Sequence, residues 1–295
     1  MEWPSPVKNY HRDTYPAINP TSPRLSTSGK NVVITGGGSG KSPRTPFVSG
    51  AASFSILGRT ETTLIETKNK LETDYPKTRV YTYIADIVDK VALVTAFESI
   101  KSVVGEVHIL IANAGYLPAI KTIVGSDLKD WYNGFEVNVR GNFNVVIAFV
   151  PVAEKDASIV NISTRVTHLG YLPGYSAYHT SKLASAKFFE YVHHKYPDFF
   201  VLNVHPGVIG ATMDAKTVES GTELPYDEIE LPADFVVWAV SPEANFLNGK
   251  FVWAHWDIED LQAMSQKIEG TEKFTFGLLG WDGLEETSLG PPRQA

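Results

Sequence analysis

Tyr178-His-Thr-Ser-Lys182 puts a phenol and an ammonium four residues apart. On a helix that spacing places both on one face. A neighbouring cation favours the phenolate, lowers the tyrosine pKa and makes an acid/base group usable near neutrality. The spacing recurs at Tyr191-Val-His-His-Lys195 on the same expected helix, where it reads as a solvated face, so spacing alone assigns nothing. Context separates the two pairs. Ahead of Tyr178, Ala157-Ser-Ile-Val-Asn-Ile162 has the short, β-branched look of a buried strand. It ends in the hydroxyl pair Ser163-Thr164, and a loop with Gly170, Pro173 and Gly174 leads to Ser176 and the helix. The carboxyl ends of parallel strands are where open α/β sheets hold their ligands.

The elements around this pair alternate. Strand-like runs fall at 31–35, 53–57, 79–84, 107–111, 157–163, 199–204 and 250–254, with amphipathic stretches at 61–74, 88–103, 127–150 and 176–196 between them. This alternation predicts an α/β fold, a single doubly wound Rossmann-type domain with a seven-stranded parallel sheet and helices on both faces. The expected divisions are an extended arm over 1–28 with little to bury, a catalytic domain over 29–269, and a tail over 270–295 that packs on the domain. The 208–232 segment is long, polar and proline-containing.

Several further motifs fall at strand ends. Asn113-Ala114-Gly115 closes the fourth strand, Asn138-Val-Arg-Gly-Asn-Phe143 lies in a helix, and Pro206-Gly207 follows the sixth strand. After the first strand comes Thr35-Gly36-Gly37-Gly38-Ser39-Gly40-Lys41-Ser42-Pro43. Glycines there let the backbone turn tightly and approach a pyrophosphate. Together with Tyr-x-x-x-Lys and the strand-end hydroxyls, this set resembles the classical short-chain dehydrogenase/reductase family over about residues 29 to 260. The style of Leu247-Asn-Gly-Lys-Phe-Val-Trp253 is similar to its fungal members.

The resemblance implies hydride transfer between a nicotinamide and a carbonyl or secondary alcohol of a small organic metabolite, with secondary metabolism as a setting. Tyr178 would exchange the proton, and Lys182 would lower its pKa and bind the nicotinamide ribose. Thr164 or Ser163 would polarise the carbonyl; Thr164 holds the family's serine position. Asn138 would position a water and the lysine. Implied cofactor positions are Gly36, Ser39, Gly40, Arg59, Asp86, Asn113, Ala114, Gly115, Lys182, Pro206 and Gly207. A small residue followed by arginine, Gly58-Arg59, suits a 2′-phosphate, so the cofactor expected is NADP, with NAD as the other candidate. Asp86 would contact adenine, or else cap the helix that begins near Val88. The 208–232 segment would cover the substrate, or be a surface excursion. Family members often pair through the long middle helices, which implies a homodimer or homotetramer.

The glycine loop departs from the pattern Thr-Gly-x-x-x-Gly-x-Gly. Its third glycine is Ser42, and Pro46 disturbs the helix that should follow. Gly40-Lys41-Ser42 also ends like a phosphate loop of nucleotide triphosphatases, but Thr35 stands where that loop's first glycine belongs. A second functional reading therefore stays open: a related protein with an impaired cofactor loop. It would do non-redox acid/base chemistry as an isomerase, dehydratase or cyclase, or serve as a silent partner.

Bulk properties bound the rest. The chain has 295 residues, net charge -7 and no cysteine. An acidic chain does not favour nucleic acid or an anionic membrane surface. Without thiols there is no disulfide and no thiolate zinc site. No signal-peptide pattern opens the sequence, and a cytoplasmic location is expected. The adjacent His193 and His194 point to different sides of a helix and read as surface residues rather than a metal pair. Tyr116, Trp131, Tyr171 and Tyr175 lie in or near loops at the carboxyl edge, where they line an aromatic-accepting pocket or pack the loops.

Overall fold

A computed structural model describes residues 5–38, 50–210 and 225–278. Seven strands form one parallel sheet: β1 (Asn31–Thr35), β2 (Ser53–Gly58), β3 (Arg79–Ile84), β4 (Val107–Ala112), β5 (Ala153–Ile162), β6 (Phe200–His205) and β7 (Phe251–Trp253). Their spatial order is β3-β2-β1-β4-β5-β6-β7. The order reverses between β1 and β4, and the crevice at such a reversal is where doubly wound sheets bind ligands.

Strand side chains alternate between faces, and both faces of this sheet are covered, so the central strands β1, β2, β4 and β6 are almost wholly buried. Val32, Ile34, Phe54, Ile56, Ile109, Leu202 and Val204 share one core with Phe235 and Trp238. Val33, Leu57, Leu110, Ile159 and Val201 share the other with Phe97, Phe149 and Phe189. Fully burying each such side chain contributes about 1.5–3 kcal/mol. The helices that supply these residues are α2 (Lys90–Val104), α4 (Asn142–Phe149), α5 (Ser176–Lys195) and α6 (Glu230–Ala239). On the β2–β3 side, α1 (Glu61–Asp74) buries Leu64 and Leu71.

Three expectations are corrected. The stretch 127–150 is not one regular helix: α3 (Leu128–Phe135) passes into a π-helical turn, Glu136–Gly141, before α4. Strand β5 begins at Ala153 rather than Ala157, and its pairing with β4 shifts register between Val107 and Ile109. The amino-terminal arm does bury side chains. Ile18 and Leu25 are wholly enclosed in the first core, beside short 3-10 turns opened by Pro16 and Pro23. Tyr10 forms an antiparallel bridge with Trp256, and the Lys8 and Asn9 amides donate to the Asp260 carboxylate at 2.9 and 2.8 Å. Asp260 lies in α7 (Ile258–Ala263). Phe274 and Phe276 pack on Trp256 and Phe251 respectively; Trp281 lies outside the described residues. Among the described residues no helix is long and apolar enough to cross a membrane.

Candidate active site

Strand β5 and helix α5 build the centre of the site. The Lys182 ammonium donates to the carbonyl of Ile162, the last residue of β5, at 2.8 Å. The Thr164 hydroxyl is hydrogen-bonded to the Tyr178 phenol. Side chains four apart on α5 therefore reach two positions separated by two residues at the end of one strand. The other tyrosine/lysine pair on this helix behaves differently, since Tyr191 is 69% exposed.

The two hydroxyls of Ser163-Thr164 part company. In an extended chain, successive side chains point to opposite sides. Thr164 is extended (φ -162°, ψ 146°) and faces Tyr178. Ser163 continues the strand ladder through its amide to the Val204 carbonyl at 2.7 Å, while its Oγ is buried with no partner among the described residues.

Burial pushes the Tyr178 phenol up to about 12, and the Thr164 hydrogen bond only partly offsets this. The same burial holds the Lys182 ammonium down, at about 8. Here desolvation dominates, and the ammonium is committed to a strand carbonyl. The phenol keeps its proton throughout the neutral range.

Asn138 sits in the π-helical turn, wholly buried. Its Oδ1 accepts the Tyr116 amide at 2.8 Å, and its Nδ2 donates to the Tyr116 carbonyl at 2.9 Å and Ser181 Oγ at 3.0 Å. One helical turn on, Asn142 Nδ2 donates to the Asn138 carbonyl at 2.8 Å and Ser185 Oγ at 3.3 Å. Two asparagines four apart thus grip two serines four apart on α5, the helix that carries Tyr178 and Lys182. Sequence reasoning missed this ladder, although the matched spacings of Asn138/Asn142 and Ser181/Ser185 on two expected helices were its visible signal.

The cofactor positions gather at the ends of β1, β4, β2 and β6. Thr35 Oγ1 accepts the Asn113 and Ala114 amides, both at 3.1 Å, and Asn113 Nδ2 donates to the Thr35 carbonyl at 3.0 Å. The glycine turn closes on this lock. Gly36 has φ +70°, and a Cβ there would lie 2.9 Å from Ala114 Cα. At Gly38 a Cβ would meet Leu64 and Thr63 at 3.0 Å. Backbone packed this closely, with no room for side chains, fits the approach of a pyrophosphate. Ser39, Gly40 and Ser42 lie outside the described residues. Next to this turn, Arg59 is exposed with its guanidinium 3.9 Å from the Asp86 carboxylate. Asp86 Oδ1 also accepts the Val88 amide at 3.1 Å in a local turn. The helix that follows starts at Lys90 and is capped by Asp89, which accepts the Val91 and Ala92 amides, so the capping role open for Asp86 falls to Asp89. Gly115 follows the Asn113 lock, half-buried, and Pro206-Gly207 leaves β6 with Gly207 at φ +100°.

The aromatic loops divide. Trp131 stacks on Phe135 and donates to Ser176 Oγ at 3.1 Å, and Tyr175 is buried. Tyr116 is hydrogen-bonded to Asp130. Tyr171 is 89% exposed and does not pack the loops among the described residues. Among the described residues no group of three or more His, Cys, Asp or Glu could hold a metal ion.

Comparison with known proteins gives one consistent result. The sequence profile described as short chain dehydrogenase matches residues 30–221. A short chain dehydrogenase/reductase of Claviceps purpurea is 30% identical, with 94% of this chain and 95% of that protein covered. The short chain dehydrogenase mpl6 of Monascus purpureus is 28% identical over 92% of this chain and 96% of its own. Among solved structures, a short chain dehydrogenase from Burkholderia cenocepacia in complex with NADP superposes with a TM-score of 0.70 at 22% identity, covering 79% of this chain and 99% of that one. L-sorbose reductase from Gluconobacter frateurii, complexed with NADPH and L-sorbose, also gives 0.70 at 22% identity, over 78% and 96%.

Proposed function

The chain belongs to the short-chain dehydrogenase/reductase family, and from that premise we propose that it is an NADP-preferring oxidoreductase of fungal secondary metabolism. It interconverts a carbonyl and a secondary alcohol on a small organic metabolite. The observation that carries this reading is the convergence of Tyr178 and Lys182 on the end of β5, with Thr164 bonded to the phenol. The bound dinucleotide supplies or accepts the hydride. Thr164 donates to the substrate oxygen as charge develops there. Tyr178 hands its proton to that oxygen during reduction. Burial holds the phenol protonated at neutral pH, the form that donates during reduction. Lys182 holds the ribose, and Asn138 holds the helix that carries both groups. Gly36, Asn113-Ala114-Gly115 and Pro206-Gly207 form the backbone wall around the dinucleotide.

Arg59 supports the NADP preference, because its exposed guanidinium can take a 2′-phosphate in place of the weak 3.9 Å pairing with Asp86. Solved proteins of the same fold hold NADP and NADPH. Exposed Tyr132, Phe143, Leu183 and Tyr191 on α3, α4 and α5 support self-association through those helices. Titration of the protein with NADPH and NADH, followed by nucleotide fluorescence, tests the reading. NADPH is expected to bind at least about tenfold tighter, a difference of about 1.4 kcal/mol. Binding of neither nucleotide at millimolar concentration would overturn it.

A further inference from the structure

We propose that the amino-terminal arm is part of the active-site scaffold, with Arg12, Asp227 and His255 as positioning residues for the Pro206-Gly207-Val208 turn. This inference rests on the reading above, in which that turn flanks the nicotinamide. Asp227 is the hub. Its Oδ2 accepts the Val208 amide at 2.8 Å and is hydrogen-bonded to His255 Nε2 at 2.9 Å. Its own amide donates to the Val208 carbonyl at 2.9 Å, so side chain and backbone both grip the residue after Gly207. The fit is tight, because a Cβ at Gly207 would fall 2.8 Å from Asp227 Oδ2 and 3.2 Å from the His255 ring.

The arm locks this hub from outside at four points. The Arg12 guanidinium donates to Asp227 Oδ1 at 3.3 Å, and the Arg12 carbonyl accepts the Glu228 amide at 2.9 Å. The His11 amide donates to the His255 carbonyl at 2.8 Å. Tyr10 stacks on the His255 ring with centroids 4.7 Å apart and planes 16° from parallel. Asp227 and His255 are themselves buried. A buried carboxylate that loses a charged donor is left short of compensation, and it rearranges the backbone it holds. A turn displaced by a fraction of an ångström beside a reacting ring changes how well the ring is bound and aligned.

Three variants test the inference in the full-length protein: Arg12→Ala, Arg12→Lys, and Arg24→Ala as a control. Arg24 belongs to the same arm but bonds Glu243 and the Ala17 carbonyl, away from the turn. Amide hydrogen exchange of the nucleotide-free protein reads the clamp, and steady-state kinetics read its effect. Arg12→Ala should speed exchange at Val208 and raise KM for NADPH about tenfold with kcat within about twofold. Arg12→Lys, which keeps the cation, should recover most of both, and Arg24→Ala should change neither. Equal exchange and equal KM in Arg12→Ala and Arg24→Ala would overturn the proposal, as would faster exchange with unchanged KM. If the wild-type protein bound neither nucleotide, the functional reading would fall, while the exchange comparison would still decide whether the arm holds the turn.

Discussion

At the scale of residues, the site rests on two groups whose burial moves them in opposite senses. The phenol of Tyr178 is held protonated and the ammonium of Lys182 is held near its point of neutralisation. Tyr178→Phe should therefore lower kcat by about 10²- to 10⁴-fold with nucleotide binding unchanged, measured once a carbonyl substrate is in hand. Thr164→Ala should cost about 10²-fold or more. Ser163→Ala should leave turnover unchanged and stability equal or better, since it deletes a buried hydroxyl with no partner among the described residues. Lys182 also makes a prediction about pH. Its folded pKa, about 8, lies below the ordinary 10.5, so between those values the unfolded chain binds the extra proton. Stability from this group accordingly rises with pH from about 8 to 10.5, and the full penalty, on the order of 3 kcal/mol at most, applies below 8. Lys182→Met should raise the melting temperature at pH 7 and flatten that rise while abolishing turnover. The sequence made Tyr178 and Lys182 legible because one helical period and a preceding strand suffice to find them. It left the choice between Ser163 and Thr164 open, since neighbouring hydroxyls at a strand end differ only in which way the chain turns them.

At the scale of elements, the π-helical turn at Glu136–Gly141 is what joins α3 and α4 to α5. Widened turns of this kind accumulate at functional sites. Here the turn directs Asn138 at once toward Tyr116 and Ser181. Gly141 ends it, and a Cβ there would lie 2.5 Å from Ile87 Cδ1. Gly141→Ala should destabilise the protein by about 1–3 kcal/mol in urea unfolding, and Ile87→Val in the same chain should recover part of that loss. Most elements were legible: β1, β3 and α1 fall at the residues expected, because β-branched and aromatic runs mark the strands and an amphipathic stretch marks the helix. The π turn was not. An extra residue in one turn leaves the apolar pattern on either side intact, and only the partners across the interface reveal it.

At the scale of the whole molecule, the arm belongs to the fold. Leu25 is wholly buried although it lies outside the sheet and its covering helices. Leu25→Ala should cost about 2–5 kcal/mol and lower the urea midpoint without changing the slope. The sequence hid this role for a physical reason. Val7, Ile18 and Leu25 are isolated among prolines and polar residues, with no period of their own, and the turn that holds Ile18 packs on α6 and α7, more than two hundred residues on.

That separation carries a consequence for how the chain is made. His11 meets Asp257 across 246 residues of sequence. At ordinary rates of translation those residues take on the order of ten to fifty seconds to emerge. For that interval the arm lacks the Asp257 and Asp260 carboxylates that it bonds in the finished fold. A segment made early therefore waits for partners made late, and the Pro206-Gly207-Val208 turn gains its brace only after Asp227 and His255 have emerged.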